Sequence, residues 1–77
     1  MSNILLIGNG AREHAIAEAV VRSMKNPVLF AYMKANNPGI AHLSKGVRLG
    51  GYGDMAAILD FARANETAFA IVGPKTP

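Results

Sequence analysis

The sequence predicts an α/β domain, an open parallel sheet of about four strands with flanking helices, Rossmann-like in organisation. Three observations predict it. Short apolar runs alternate with helix-period segments along the whole chain. The apolar runs are continuous rather than alternating, as in strands covered on both faces. Strand–helix–strand units of this kind pair in parallel through right-handed crossovers. The turns beginning at Gly8, Met33, Gly50 and Gly73 then emerge at one edge of the sheet. That carboxyl edge is where open α/β sheets bind ligands.

Each element follows from local chemistry. Asn3-Ile4-Leu5-Leu6-Ile7, ended by Gly8, reads as the first strand. Residues 12 to 25 read as a helix with Ile16, Ala19, Val20 and Met24 on its buried side. Asn26-Pro27 stops it, because the residue before a proline avoids the α region. Val28 to Tyr32 is the second strand. Asn36-Asn37-Pro38-Gly39 is a loop by its turn chemistry, followed by one helical turn from Ile40 to Leu43. Val47-Arg48-Leu49 is a short third strand, and Gly50-Gly51-Tyr52-Gly53 a flexible connection. Asp54 caps the next helix, whose buried stripe is Met55, Ile58, Leu59 and Ala62 and whose C-cap is Asn65. Ala68 to Val72 is the fourth strand, closed by Gly73-Pro74.

Composition narrows the function. At 77 residues the chain holds one domain, residues 1–77. A domain of this size buries only about 60% of its unfolded surface. Cysteine is absent and the two histidines, His14 and His42, are too far apart for a typical zinc site, so no metal site is expected. No apolar run approaches the ~18 residues that span a membrane, and no signal peptide is visible, which fits a cytoplasmic protein. The net charge is +3, and residues 19 to 53 carry Arg22, Lys25, Lys34, Lys45 and Arg48 without one acid. This stretch forms either one electropositive edge or an ordinary solvated surface. Nucleic acid is not an expected partner, since neither a stacking set nor a dense basic run is present.

The first turn, Gly8-Asn9-Gly10-Ala11-Arg12-Glu13-His14, carries the chemistry. Gly8 permits a tight exit from the strand, and Gly10 lets the backbone come close to a ligand. The helix opens with unpaired N–H groups and the positive end of its dipole, a setting suited to an anion. Arg12 adds a fork of donors that matches phosphate. A dinucleotide fingerprint would need glycine or alanine where Glu13 stands and an acid near Lys34. NAD is therefore not expected, and NADP is only weakly permitted.

At this point a resemblance is specific. Ile7-Gly8-Asn9-Gly10-Ala11-Arg12-Glu13-His14-Ala15 resembles the opening motif of the glycinamide ribonucleotide synthetases, the phosphoribosylamine–glycine ligases. Asn37-Pro38-Gly39-Ile40-Ala41, Leu59-Asp60-Phe61-Ala62 and Ile71-Val72-Gly73-Pro74 match at the expected intervals, so the resemblance covers the whole chain. One position departs from the pattern: Lys75 stands where the family has glutamate after Gly-Pro, a donor in place of an acceptor.

The resemblance implies the N-terminal, substrate-side domain of an ATP-grasp ligase. In such an enzyme ATP phosphorylates the glycine carboxylate, and the amine of 5-phosphoribosylamine attacks the acyl phosphate. ATP and Mg2+ (or Mn2+) belong to domains beyond residue 77, so this chain is expected to bind neither fully and to lack ligase activity alone. The implied substrate-binding residues are Gly8, Asn9, Gly10, Arg12 and Glu13, with Asn37, Pro38 and Gly39 bordering the pocket and Pro74 and Lys75 emerging beside it. No residue is assigned a catalytic role. Glu13 either orients Arg12, accepts from ribose hydroxyls or is a helix-start acid; His14 is either packing or catalytic. Two other readings stay open: a nucleotide- or NADP-binding domain of an oxidoreductase, and a non-enzymatic small-molecule sensor.

Overall fold

Ile4, Leu5 and Leu6 are each at most 1% exposed, so the first apolar run is covered on both faces, as an unbroken run requires. The computed structural model describes residues 2–23 and 27–72. Its elements are β1 (Ser2–Ile7), α1 (Ala11–Ser23), β2 (Pro27–Met33), α2 (Pro38–Leu43), β3 (Gly46–Leu49), α3 (Met55–Ala64) and β4 (Phe69–Val72). The sheet has four strands in the order β3-β2-β1-β4, all parallel. Ile7, the last residue of β1, lies opposite Tyr32 on one side and Val72 on the other. The expected α/β architecture is therefore present.

Side chains of successive strand residues point to opposite faces, and two cores result. Ile4 and Leu6 of β1 join Leu29, Ala31 and Met33 of β2 beneath α1 and α2, with Ala17, Val20 and Ile40 completing the cluster. Leu5, Phe30 and Tyr32 form the other core with Ile58 of α3. The chain thus crosses over one face from β1 to β3 and over the other from β3 to β4. The sheet grows in opposite directions from β1, and the gap between the carboxyl ends of β1 and β4 is the topological switch point.

Several expectations are corrected. α1 buries Glu13, Ala17 and Val20, while Ala19 faces solvent and Ile16 is half-buried. Met24 lies outside the described residues. α3 turns Ile58, Ala57, Phe61 and Ala62 inward and leaves Met55 at 60% and Leu59 at 47% exposure. The aromatic residue sets that phase: Phe61 meets Phe30 edge-on, with ring centroids 6.3 Å apart, a pairing that adds to the area the ring buries. Pro38 and Gly39 do not remain in a loop. They begin α2, because Asn37 caps it and the fixed φ of Pro38 suits the first helical position. The five cations do not gather at one edge either. Lys34 follows β2 at the carboxyl edge, Arg22 and Lys45 lie at the opposite end, and Arg48 sits on edge strand β3, all exposed; Lys25 lies outside the described residues. Alternating strands and helices carry the chain from edge to edge, which separates charges that are close in sequence.

The expected caps of α3 hold: Asp54 accepts from the Ala57 amide at 3.1 Å, and Asn65 ends the helix. Beyond Asn65 the amides of Glu66 and Thr67 return to the carbonyls of Arg63 and Ala62, a Schellman ending. It forces Glu66 to φ +51, a conformation that favours glycine. Glu66→Gly therefore stabilises the domain by about 0.5–1 kcal/mol, the relief of strain being partly offset by extra freedom of the unfolded chain. Denaturant unfolding with a higher midpoint and an unchanged slope is the expected result.

Candidate functional site

The first turn is built around an internal carboxylate. Gly8 extends the sheet by one bond, its amide donating to the Tyr32 carbonyl at 3.1 Å, and then turns with φ +141. Gly10 is the N-cap of α1: its carbonyl accepts the first helical bond, from the His14 amide at 3.0 Å. Glu13 folds back from the first helical turn so that Oε1 accepts from the Gly10 amide at 2.8 Å. This is one half of a capping box. Glu13 is 8% exposed, and a Cβ on Gly8 or Gly10 would strike its side chain. The close approach that both glycines allow is therefore made first of all by Glu13.

This geometry gives Glu13 a structural partner. It is a helix-start acid bound to its own turn, and among the described residues it has no hydrogen bond to Arg12. It also places negative charge where a dinucleotide pyrophosphate would lie against the helix, which disfavours that ligand electrostatically. The amides of Ala11 and Arg12 have no hydrogen-bond partner among the described residues, and the Arg12 side chain is exposed. These are the donors that the turn offers outward.

Asn9, between the two glycines, is held from two directions. Asn37 Nδ2 donates to the Asn9 carbonyl at 3.0 Å, while Asn37 Oδ1 accepts from the amides of Gly39 and Ile40 at 3.0 and 3.3 Å. Both ends of the Asn37 amide are thus engaged within the protein. Tyr52 provides the second hold, its hydroxyl donating to Asn9 Oδ1 and accepting from the Lys34 amide at 3.2 Å. Pro38 is exposed, and Gly39 lies against the His14 imidazole, where a Cβ would collide with the ring. His14 thus packs at the α1–α2 contact. Its Nε2 lies 3.8 Å from Glu18, both side chains being well exposed, and such a pair contributes little.

The structure brings Gly8, Asn9, Gly10, Arg12, Glu13 and Asn37 together at the carboxyl edge beside the switch point. Pro74 and Lys75 lie outside the described residues. Two participants were not singled out from the sequence. Tyr52 lies in a stretch read as a flexible connection, and Tyr32, fully buried, donates its hydroxyl to the Gly51 carbonyl at 2.8 Å and so anchors that connection. The available signal was a single aromatic residue among glycines at a carboxyl edge, a residue type that needs packing or a polar partner.

Among the described residues no three His, Cys, Asp or Glu side chains come together to hold a metal ion, and no helix is long and apolar enough to cross a membrane.

Comparison with known proteins places the chain. A family model described as phosphoribosylglycinamide synthetase, N domain, matches residues 2–77. A phosphoribosylamine–glycine ligase of Methanosarcina acetivorans is 46% identical over 74 residues, 96% of this chain and 17% of that protein. The protein of the same name from Methanococcoides burtonii is 43% identical over 75 residues, 97% of this chain and 17% of its own length. That of Pyrococcus furiosus is 38% identical over 77 residues, the whole of this chain and 17% of its length. The chain spans about a sixth of the length of these curated relatives.

Proposed function

Because this chain belongs to the phosphoribosylglycinamide synthetase N-domain family, we propose that it is the substrate-side domain of a phosphoribosylamine–glycine ligase of purine biosynthesis. The observation that carries this reading is the family match across residues 2–77, joined by relatives that bear that enzyme's name. The reaction forms an amide between the glycine carboxyl carbon and the amine of 5-phosphoribosylamine, with ATP converted to ADP and phosphate. ATP and Mg2+ (or Mn2+) belong, in this proposal, to the ATP-grasp domains, so no step of that chemistry is assigned to the residues of this chain. In this proposal residues 1–77 are one domain, and the ATP-grasp domains belong to the remainder of a longer cytoplasmic polypeptide.

The part assigned to this domain is to hold the phosphoribosyl end of the substrate. The amides of Ala11 and Arg12, the dipole of α1 and the Arg12 guanidinium supply donors and positive potential for one phosphate monoester. Gly8, Gly10 and Glu13 fix the turn from within. Asn9 and Asn37 hold its outer side, with Pro38 and Gly39 at the border and Pro74 and Lys75 as the expected partners from the strand β4 side. Glu13 also discriminates: a single phosphate reaches the outward amides, whereas a dinucleotide pyrophosphate would have to lie against the carboxylate.

Calorimetric titration tests the assignment. Ribose 5-phosphate binds, whereas NAD and NADP give no micromolar dissociation constant. Micromolar binding of either dinucleotide would overturn the reading in favour of an oxidoreductase domain. Binding of ribose 5-phosphate weakens with added salt, because the donors are exposed and the Debye length is only about 8 Å at physiological ionic strength.

A further inference from the structure

Tyr52 is separated by 43 residues from Asn9 and by 18 from Lys34, yet its hydroxyl bonds to both. It stands in the connection from β3 to α3, between Gly51 and Gly53, while Asn9 follows β1 and Lys34 follows β2. The phenol therefore spans the carboxyl ends of three strands. The connection that carries it is anchored at its root, where Gly50 donates to the Met33 carbonyl at 2.9 Å and Gly51 accepts from Tyr32 at 2.8 Å. Tyr52 is thus held from below while the residue is 39% exposed. Packing alone does not explain an exposed tyrosine with both hydroxyl functions used.

Asn9 is the point at which this arrangement acts. It lies between two glycines, residues with little intrinsic preference of backbone conformation. Tyr52 fixes its side chain and Asn37 its carbonyl, so two loops from different parts of the chain define the path of the first turn. We propose that Tyr52 is a positioning residue for the sugar-phosphate site: its hydroxyl clamps Asn9 and thereby holds the outward amides of the first turn ready for the ligand. The proposal rests on reading that turn as the phosphoribosyl site.

The test uses the intact protein and ribose 5-phosphate as the probe. Tyr52→Phe removes one hydroxyl and leaves the ring. A single hydrogen bond contributes about 0.5–1.5 kcal/mol net, so the dissociation constant rises about 3- to 10-fold. The side-chain amide signals of Asn9 shift in the unliganded variant, and the thermal midpoint falls by several degrees, as the loss of one hydrogen bond requires. Asn9→Ala produces a similar loss, and the double variant is no weaker than the worse single one, since both changes break the same contact. Additive losses of affinity in the double variant would show that Tyr52 and Asn9 act separately, and that pattern overturns the proposal. Wild-type binding with an unaltered Tyr52→Phe affinity overturns it while leaving the site reading intact. Absence of wild-type binding overturns the site reading and this proposal with it.

Discussion

Gly8→Ala destabilises the domain by about 3 kcal/mol or more. Two independent costs add. The first is conformational: φ +141 is a backbone region that essentially only glycine visits, and forcing alanine into it costs about 1–3 kcal/mol. The second is steric, because a Cβ at this position would overlap Cγ of Glu13 and come within 2.8 Å of its Cδ. Glu13 is buried and bonded to Gly10, so it cannot move aside without losing that bond; such overpacking costs about 1–3 kcal/mol. A domain of this length has a total stability of roughly 4–12 kcal/mol, so the variant is substantially unfolded or close to it.

The two costs are separable. Adding Glu13→Ala to Gly8→Ala removes the overlap but also the bond to Gly10, and it leaves the strained backbone, so less than half of the lost stability returns. Gly39→Ala is the control. Its Cβ would also meet a side chain, the imidazole of His14, but that residue is 38% exposed and can swing outward, and Gly39 carries no positive φ. Its cost is therefore below about 1 kcal/mol. Denaturant unfolding of the four proteins checks the argument. Equal losses for Gly8→Ala and Gly39→Ala would contradict it.

The elements were legible in the sequence because their causes are local. The four apolar runs, the glycine at the end of β1 and the aspartate cap of α3 each name their structure within a few residues. The features that were not legible depend on distant partners. Asn37-Pro38-Gly39 suits both a turn and the start of a helix, and only the burial of Ile40 beneath the first core selects the helix. Met55 and Leu59 are more apolar than Ala57, yet the phase of α3 is set by Phe61 against aromatic residues of β2, more than 25 positions away in the chain. At the site the glycines announced a close approach without saying by what. An acid in the first turn of a helix is ordinarily exposed, and nothing local to Glu13 shows that its carboxylate turns inward to the Gly10 amide. Tyr52 was passed over for the same reason, since both of its partners belong to other strands.

The central claim is that the first turn, not the scattered cations, receives the phosphate. Arg12 gives the claim its largest functional effect. It is exposed and lies outside both cores, so Arg12→Ala leaves the fold intact. A hydrogen bond to a charged group contributes about 1.5–3 kcal/mol, so its loss weakens ribose 5-phosphate binding by roughly 10- to 100-fold with an unchanged thermal midpoint. Amide chemical shifts followed through a titration with ribose 5-phosphate test the claim most directly. The account predicts that the amides of Ala11 and Arg12 move first and furthest, and that these shifts fade in Arg12→Ala. Shifts confined to Lys34, Lys45 and Arg48, or no shifts at all, would show that the turn is a structural cap closed by Glu13 and would contradict the assignment.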